Sequence, residues 1–142
     1  MPDILHAIQI SLPAESIYPL VSTARGFTQW WAEDVTVSGE AVELAFFNRN
    51  TVYRLRPKLL LPHNRAEWLV ETGKEWTGTR IHFHLEPAKS GTLLRFFHAG
   101  WLEHTDYFTS CNTTWGELMF RLKAAAEGHS RGPLFLRDSL AY

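Results

Sequence analysis

Seven histidines and one cysteine carry the widest chemical reach in this 142-residue chain. His98 closes the alternating run Leu94-x-Phe96-x-His98, so it shares a face with two large apolar side chains. That puts a single titratable group on an apolar wall. A neutral imidazole there can hydrogen-bond a ligand carbonyl or hydroxyl, or take up a proton near neutral pH. The competing reading is a core histidine satisfied by a backbone carbonyl or a tyrosine hydroxyl, the commoner fate of a lone inward ring. His98 is therefore a candidate ligand contact first and a candidate base second. His82 and His84 share one strand face, as metal ligands do, but Arg80 shares it too and the spacing supplies no third ligand. Zinc takes three or four protein ligands, so both rings are expected to be exposed and no metal is expected. Cys111 faces inward by helical phase, where a thiol acts as a small hydrophobe. A nucleophilic pair of Cys111 with His98 has no supporting signature. Gly73-Lys74 and Gly78-Thr79 lack the spacing of a phosphate loop, and Arg54 with Arg56 reads as a solvated strand face.

The second resource is aromatic. Six Trp, four Tyr and nine Phe make up 13% of the chain, and rings in such number fill a core, line a cavity or face a partner. The inward set by alternation and helical phase is Phe46, Trp68, Phe83, Phe96, Trp115 and Met119, with Trp30 and Tyr53 beside them. Rings and Met at such spacing are usually core. The alternative is a pocket they line, since ligand pockets are mostly apolar with a few convergent polar groups. The residues alone favour neither.

Composition excludes several classes. With 45% apolar and 20% charged residues, the chain is neither disordered nor collagen-like nor a coiled coil. A net charge of −1 leaves no electrostatic footprint for nucleic acid. No apolar run approaches the roughly 20 residues of a membrane span. Met1-Pro2-Asp3 places an acid where a signal peptide needs positive charge, and a lone cysteine fits a reducing compartment. A soluble cytoplasmic domain is the expectation.

These residues need elements to position them. Ile4-x-His6-x-Ile8-x-Ile10 reads as a half-buried strand. Pro13 then opens a helix with Ile17, Leu20 and Val21 as its stripe, and Phe27, Trp30 and Trp31 suggest a second short helix. From Val35 the period becomes two. Strands are expected around Val42–Phe46, Val52–Leu61, Ala66–Val70, Ile81–Leu85 and Thr92–His98, with Pro57 demanding an edge or a bulge. Tyr107, Cys111, Trp115, Leu118, Met119 and Leu122 then fall on one face of a helix from about Asp106 to Glu127, capped by Gly128. The expected fold is α+β: a curved antiparallel sheet of about six strands around a long C-terminal helix, with two short helices after the first strand. Residues 1–128 form one domain and 129–142 an extension that packs back or frays.

The order and spacing of motifs resemble the START-like superfamily, also called SRPBCC or birch-pollen-allergen-like, and within it bacterial proteins similar to the heat-shock chaperone ATPase activator. The resemblance covers about residues 4 to 128. It rests on Ile8-x-Ile10 followed by Pro13-Ala14-Glu15-x-Ile17-Tyr18-x-Leu20, then Phe27-x-x-Trp30-Trp31, Gly78-Thr79-x-Ile81-x-Phe83-x-Leu85, and Gly91-Thr92-x-Leu94-x-Phe96-x-His98-x-Gly100-Trp101, completed by the helix with Trp115 and Lys123. After Trp31 the chain departs from the activator-like pattern, carrying Ala32–Gly39 in place of a proline- and glycine-rich stretch. The resemblance implies a helix-grip fold with a cavity between sheet and helix. It implies a hydrophobic small-molecule partner there, lipid-, polyketide- or aromatic-like, contacted by Trp30, Phe46, Tyr53, Trp68, Phe83, Phe96, His98, Trp115 and Met119. No catalytic residue and no cofactor is carried over. Two alternatives stay open: a chaperone-interacting module, or a cyclase- or dehydratase-like enzyme using His98 or Tyr53 as acid–base group. A homodimer is expected to use a strand edge or Trp76 and Trp101.

Overall fold

The computed structural model describes residues 1–139. Its elements run β1 (Ile4–Ile10), α1 (Ala14–Ser22), α2 (Ala24–Phe27), β2 (Asp34–Ser38), β3 (Ala41–Phe46), β4 (Thr51–Leu61), β5 (Arg65–Thr72), a single 3-10 turn (Lys74–Trp76), β6 (Arg80–Ala88), β7 (Gly91–Ala99) and α3 (Asp106–Ala126). The strands form one antiparallel sheet in the order β1-β7-β6-β5-β4-β3-β2. Seven strands stand where about six were expected. The additional one is β2, only five residues long, which folds onto β3 through Gly39 in a left-handed conformation (φ +63°) that glycine adopts without strain.

Period-two alternation translates directly into burial. Ile81, Phe83 and Leu85 of β6 are buried, as are Leu94, Phe96 and His98 of β7. On the facing helix α3, Phe108, Cys111, Trp115, Leu118, Met119 and Leu122 form the buried stripe. Thr105 caps that helix by accepting from the Phe108 N–H at 3.2 Å, which satisfies one of the unpaired donors of its first turn. At its other end Lys123 donates to the Gln9 carbonyl, and Glu127 accepts from the Ser11 N–H at 2.9 Å, tying the helix to β1. The sheet thus grips α3. Pro57 sits at a register shift in β4, beyond the last residue that β3 pairs, so no ladder hydrogen bond is lost to it there.

Several expectations are corrected. Pro13 precedes α1 as its cap residue, with extended ψ, rather than opening it. The second short helix lies earlier than expected: Thr23 caps it by accepting from the Gly26 N–H at 2.9 Å, so it is one turn over Ala24–Phe27 and Trp30-Trp31 follow in a turn. Trp76 and Trp101, offered as dimer contacts, are 5% and 1% exposed and lie in the core. His82 and His84 are half-buried rather than exposed, because Glu67 and Phe97 from the neighbouring strands cover their rings. Arg54 and Arg56 are held in an ion ladder rather than simply solvated, Arg54 between Glu43 and Glu71 (3.1 Å each) and Arg56 on Glu71 (2.8 Å). The tail packs back: Phe135 bridges Ala32 in parallel, donating its N–H to the Trp31 carbonyl and accepting from the Glu33 N–H. Among the described residues no helix is long and apolar enough to cross a membrane.

Candidate functional site

Two ends of the space between sheet and helix differ. Under α1 and α2 it is filled. Trp30 donates its indole N–H to the Leu20 carbonyl at 2.9 Å and Trp68 donates to the Val21 carbonyl at 3.0 Å. These carbonyls belong to the last turn of α1, where no helical donor reaches them, so the two indoles fix that helix to the sheet. Phe27 packs on Trp30, Trp31 and Trp68, and Phe83 on Trp30 and Phe96.

The other end is open. A cavity of about 210 Å³ lies between the N-terminal half of α3, the strands β3 and β4, and the tail. Its aromatic wall is Trp31, Phe46, Phe47, Tyr53, Trp76, Trp115 and Phe135, with Leu118 closing the apolar part. Tyr107, Ser110, Cys111 and Thr114, all from α3, supply the polar rim. No charged side chain among the described residues lines it.

The wall is built by stacking. Tyr53 lies flat on Trp76, ring centroids 3.9 Å apart and 16° between planes. Gly73 makes this approach possible: at φ +143° its Cα faces the Tyr53 ring, and any side chain there would collide with that ring. Trp76 stacks in turn on Trp115 at 5.8 Å, and Trp115 packs on Phe96 at 4.2 Å and on Trp31 at 5.0 Å. Phe135 meets Phe46 edge-to-face at 4.9 Å, so the tail completes the enclosure.

Polar groups on the wall point at one another and at the void. The Tyr53 and Tyr107 hydroxyls are hydrogen-bonded to each other. Burial raises both phenols, Tyr107 to about 12 and Tyr53 higher still, so both remain protonated at neutral pH. Trp76 donates its indole N–H to Cys111 Sγ at 3.4 Å, and burial pushes that thiol up, away from thiolate character. The site offers hydroxyl and thiol groups in neutral form. It can hydrogen-bond a carbonyl or hydroxyl, and it has no ionised nucleophile.

His98 belongs to the core beneath this wall. Trp115 Nε1–H donates to His98 Nδ1 at 3.1 Å, which leaves the proton on Nε2 to be donated to Thr79 Oγ1 at 2.8 Å; Thr79 in turn donates to the Trp76 carbonyl. Every polar atom in that chain is spent, and burial drives the imidazole down to about 3. His98 is a neutral bolt joining β7, β6, the 3-10 turn and α3, with no free lone pair for a ligand or a proton.

Of the residues put forward from sequence, Phe46, Tyr53 and Trp115 line the cavity; Trp30, Trp68, Phe83, Phe96, His98 and Met119 are buried around it without reaching its surface. Trp31, Phe47, Trp76, Tyr107 and Phe135 were missed. Tyr107 and Trp31 carried a helical-phase signal beside Cys111 and Trp30. Trp76 and Phe135 sit in segments with no period, where no pattern announces which way a ring points.

No family model and no curated protein matches the chain. Solved structures do. The chain is similar to the Aha1 dimer from Colwellia psychrerythraea, an activator of heat-shock ATPase, with 30% identity and a TM-score of 0.80 over 91% of this chain and 98% of that one. A protein from Staphylococcus saprophyticus matches at 12% identity and a TM-score of 0.75, over 96% of this chain and 99% of its own. DynU16, from the dynemicin biosynthetic locus, matches at 13% identity and a TM-score of 0.74, with 95% of this chain aligned to 51% of that one. The latter two share the fold. Sheet, gripped helix and the 30% likeness together place this chain in the START-like (SRPBCC) superfamily, among the bacterial proteins similar to the heat-shock chaperone ATPase activator.

Proposed function

We propose that this protein binds a neutral hydrophobic small molecule, aromatic or acyl in body, in the cavity between β3, β4 and α3. The observation that supports it is the character of the wall: stacked rings that include Tyr53, a protonated phenol and a thiol from α3 beside the Tyr53 hydroxyl, and no charged lining residue. A ligand with an apolar body and one hydroxyl or carbonyl head matches both halves. Size narrows the class. An apolar cavity of about 150 Å³ holds a benzene ring, so about 210 Å³ suits a substituted single ring or a short acyl chain. Binding rather than turnover fits the groups present, because His98 is locked and Tyr53 is a very weak acid. A cyclase- or dehydratase-like reaction would have to use Tyr107 or Tyr53 as proton donor.

Native mass spectrometry of the protein purified from cells tests the reading without a guess at the ligand. An adduct retained in gentle conditions, released on unfolding and lost in Phe46→Ala, supports it. A clean protein mass, together with no shift of the tryptophan emission on titration with small phenols, counts against it.

A second reading is favoured by the 30% likeness to the Aha1 dimer: a dimeric, chaperone-associated module acting through its surface. Sedimentation equilibrium gives the first part of that reading, and a chaperone ATPase assay with the purified protein the second. A monomer without effect on the ATPase rate would remove it.

A further inference from the structure

On the sheet face turned away from α3, three side chains from two strands converge. His82 and His84 stand two residues apart on β6, and in the antiparallel register Glu67 of β5 lies opposite His82, with Arg65 opposite His84. Glu67 Oε2 comes 3.8 Å from His82 Nδ1 and 3.5 Å from His84 Nε2. One ligand atom from each residue falls within 4.8 Å of the others. The imidazoles face one another at 5.8 Å and 26°, and Phe97 of β7 buttresses both, 6.2 Å from His82 and 4.9 Å from His84. Nε2 of each ring is shielded from solvent; that of His82 has no hydrogen-bond partner among the described residues, and that of His84 has only the long contact to Glu67.

We propose that Glu67, His82 and His84 form a binding site for a divalent transition-metal ion of the zinc class, on the outer face of the sheet and separate from the cavity. The donor set, two imidazoles and a carboxylate, is one that zinc accepts with a fourth position left open to water. Bonds of about 2.0–2.2 Å in a tetrahedron set ligand atoms about 3.4 Å apart. Two edges, at 3.5 and 3.8 Å, are near that length already and the third lies within 4.8 Å, so side-chain rotation is what closing onto an ion requires. Strand pairing holds the three Cα positions rigid, which lowers the ordering cost of ligation. The surrounding charge opposes a cation and sets the affinity. Arg65 Nη1 touches Glu67 Oε2 at 3.4 Å and must yield it; Arg80 flanks His82 at the strand end; Arg95, opposite His84 in the β7 register, is held by Glu86 at 2.7 Å. One weak guanidinium contact is exchanged for three coordinate bonds.

The test uses the full chain, stripped with a chelator and titrated with Co²⁺. The expected result is one equivalent bound with the intense visible absorption of tetrahedral cobalt, bleached on addition of Zn²⁺. His82→Ala and His84→Ala are each expected to weaken binding by at least about 10- to 100-fold, the loss already seen when only a supporting group of a metal site is removed. Glu67→Gln weakens it less. If an alanine variant loses its far-ultraviolet spectrum, His82→Gln, which keeps the volume, replaces it. Failure of the wild type to develop the band overturns the proposal. So does an unchanged affinity in the folded His82→Ala/His84→Ala double variant, which would assign the ion to Cys111 or another histidine.

Discussion

The space between sheet and helix has a filled end and an open end built from the same kinds of residue. At the filled end Trp30 and Trp68 have α1 across from them, and its terminal carbonyls take their indole protons. At the open end the Tyr53 and Tyr107 hydroxyls bond to each other, with no helix end across from them. Whether an inward ring becomes core or cavity wall is decided by what stands opposite, an element with acceptors and volume or a gap. Hydrophobicity does not separate the two ends, because rings dominate both. Second-layer coverage does: α1 and α2 cover one end, and among the described residues Phe135 of the tail closes the other.

The division is broken most directly by truncating one tryptophan at each end. Trp68→Ala is expected to cost about 3–5 kcal/mol of unfolding free energy, read by denaturant titration, while any small-molecule adduct persists in the folded fraction. Trp115→Ala is expected to cost as much and to abolish the adduct, since Trp115 lines the cavity and holds His98. Loss of the adduct in a folded Trp68→Ala would merge the two ends into one site.

Acid should act on the bolt between the ends. The folded His98 titrates near 3, below the ordinary imidazole range near 6.5, so the unfolded chain takes the proton first. Stability from this group is therefore full above about pH 6.5 and falls as pH drops toward 3, by up to about 1.4 kcal/mol per pH unit. Thermal melts from pH 7 to 4 measure the slope, and His98→Gln should flatten it. Tyr107→Phe sharpens the comparison on a smaller scale. Removing one hydroxyl from the open end should change ligand affinity by about fivefold, near 1 kcal/mol, with the melting temperature scarcely moved. Arg54→Ala is the smallest change. It cuts a partly solvated ladder on the opposite sheet face, where ion pairs contribute at most about 1 kcal/mol, and should move the unfolding midpoint slightly and leave the cavity unaltered.

How far the sequence could be read follows from what periodicity encodes. Alternation tells which face of a strand a residue occupies, so Phe83, Phe96 and His98 were assigned inward correctly. It does not tell how far away the opposite layer lies. Phe46 and Phe83 have the same signal, yet only Phe46 meets empty space. The missing part of the wall comes from segments without period: Phe47 in a left-handed turn (φ +55°), Trp76 in a 3-10 turn, and Phe135 in the tail. The Glu67 partner of His82 and His84 was hidden for a related reason, since cross-strand neighbours depend on register rather than on spacing along one strand.

The stacked rings have an optical consequence. Trp30, Trp31, Trp76 and Trp115 form a contiguous array with centroid separations between 5.0 and 6.3 Å along its links. Excited states migrate among indoles this close, and Tyr53, at 3.9 Å from Trp76, feeds the same array. Emission from these four indoles is therefore expected to be collective, with coupled transitions in the near-ultraviolet dichroism. A single molecule entering beside Trp31, Trp76 or Trp115 would alter the output of the whole array, so the chain carries its own chromophore for whatever occupies it.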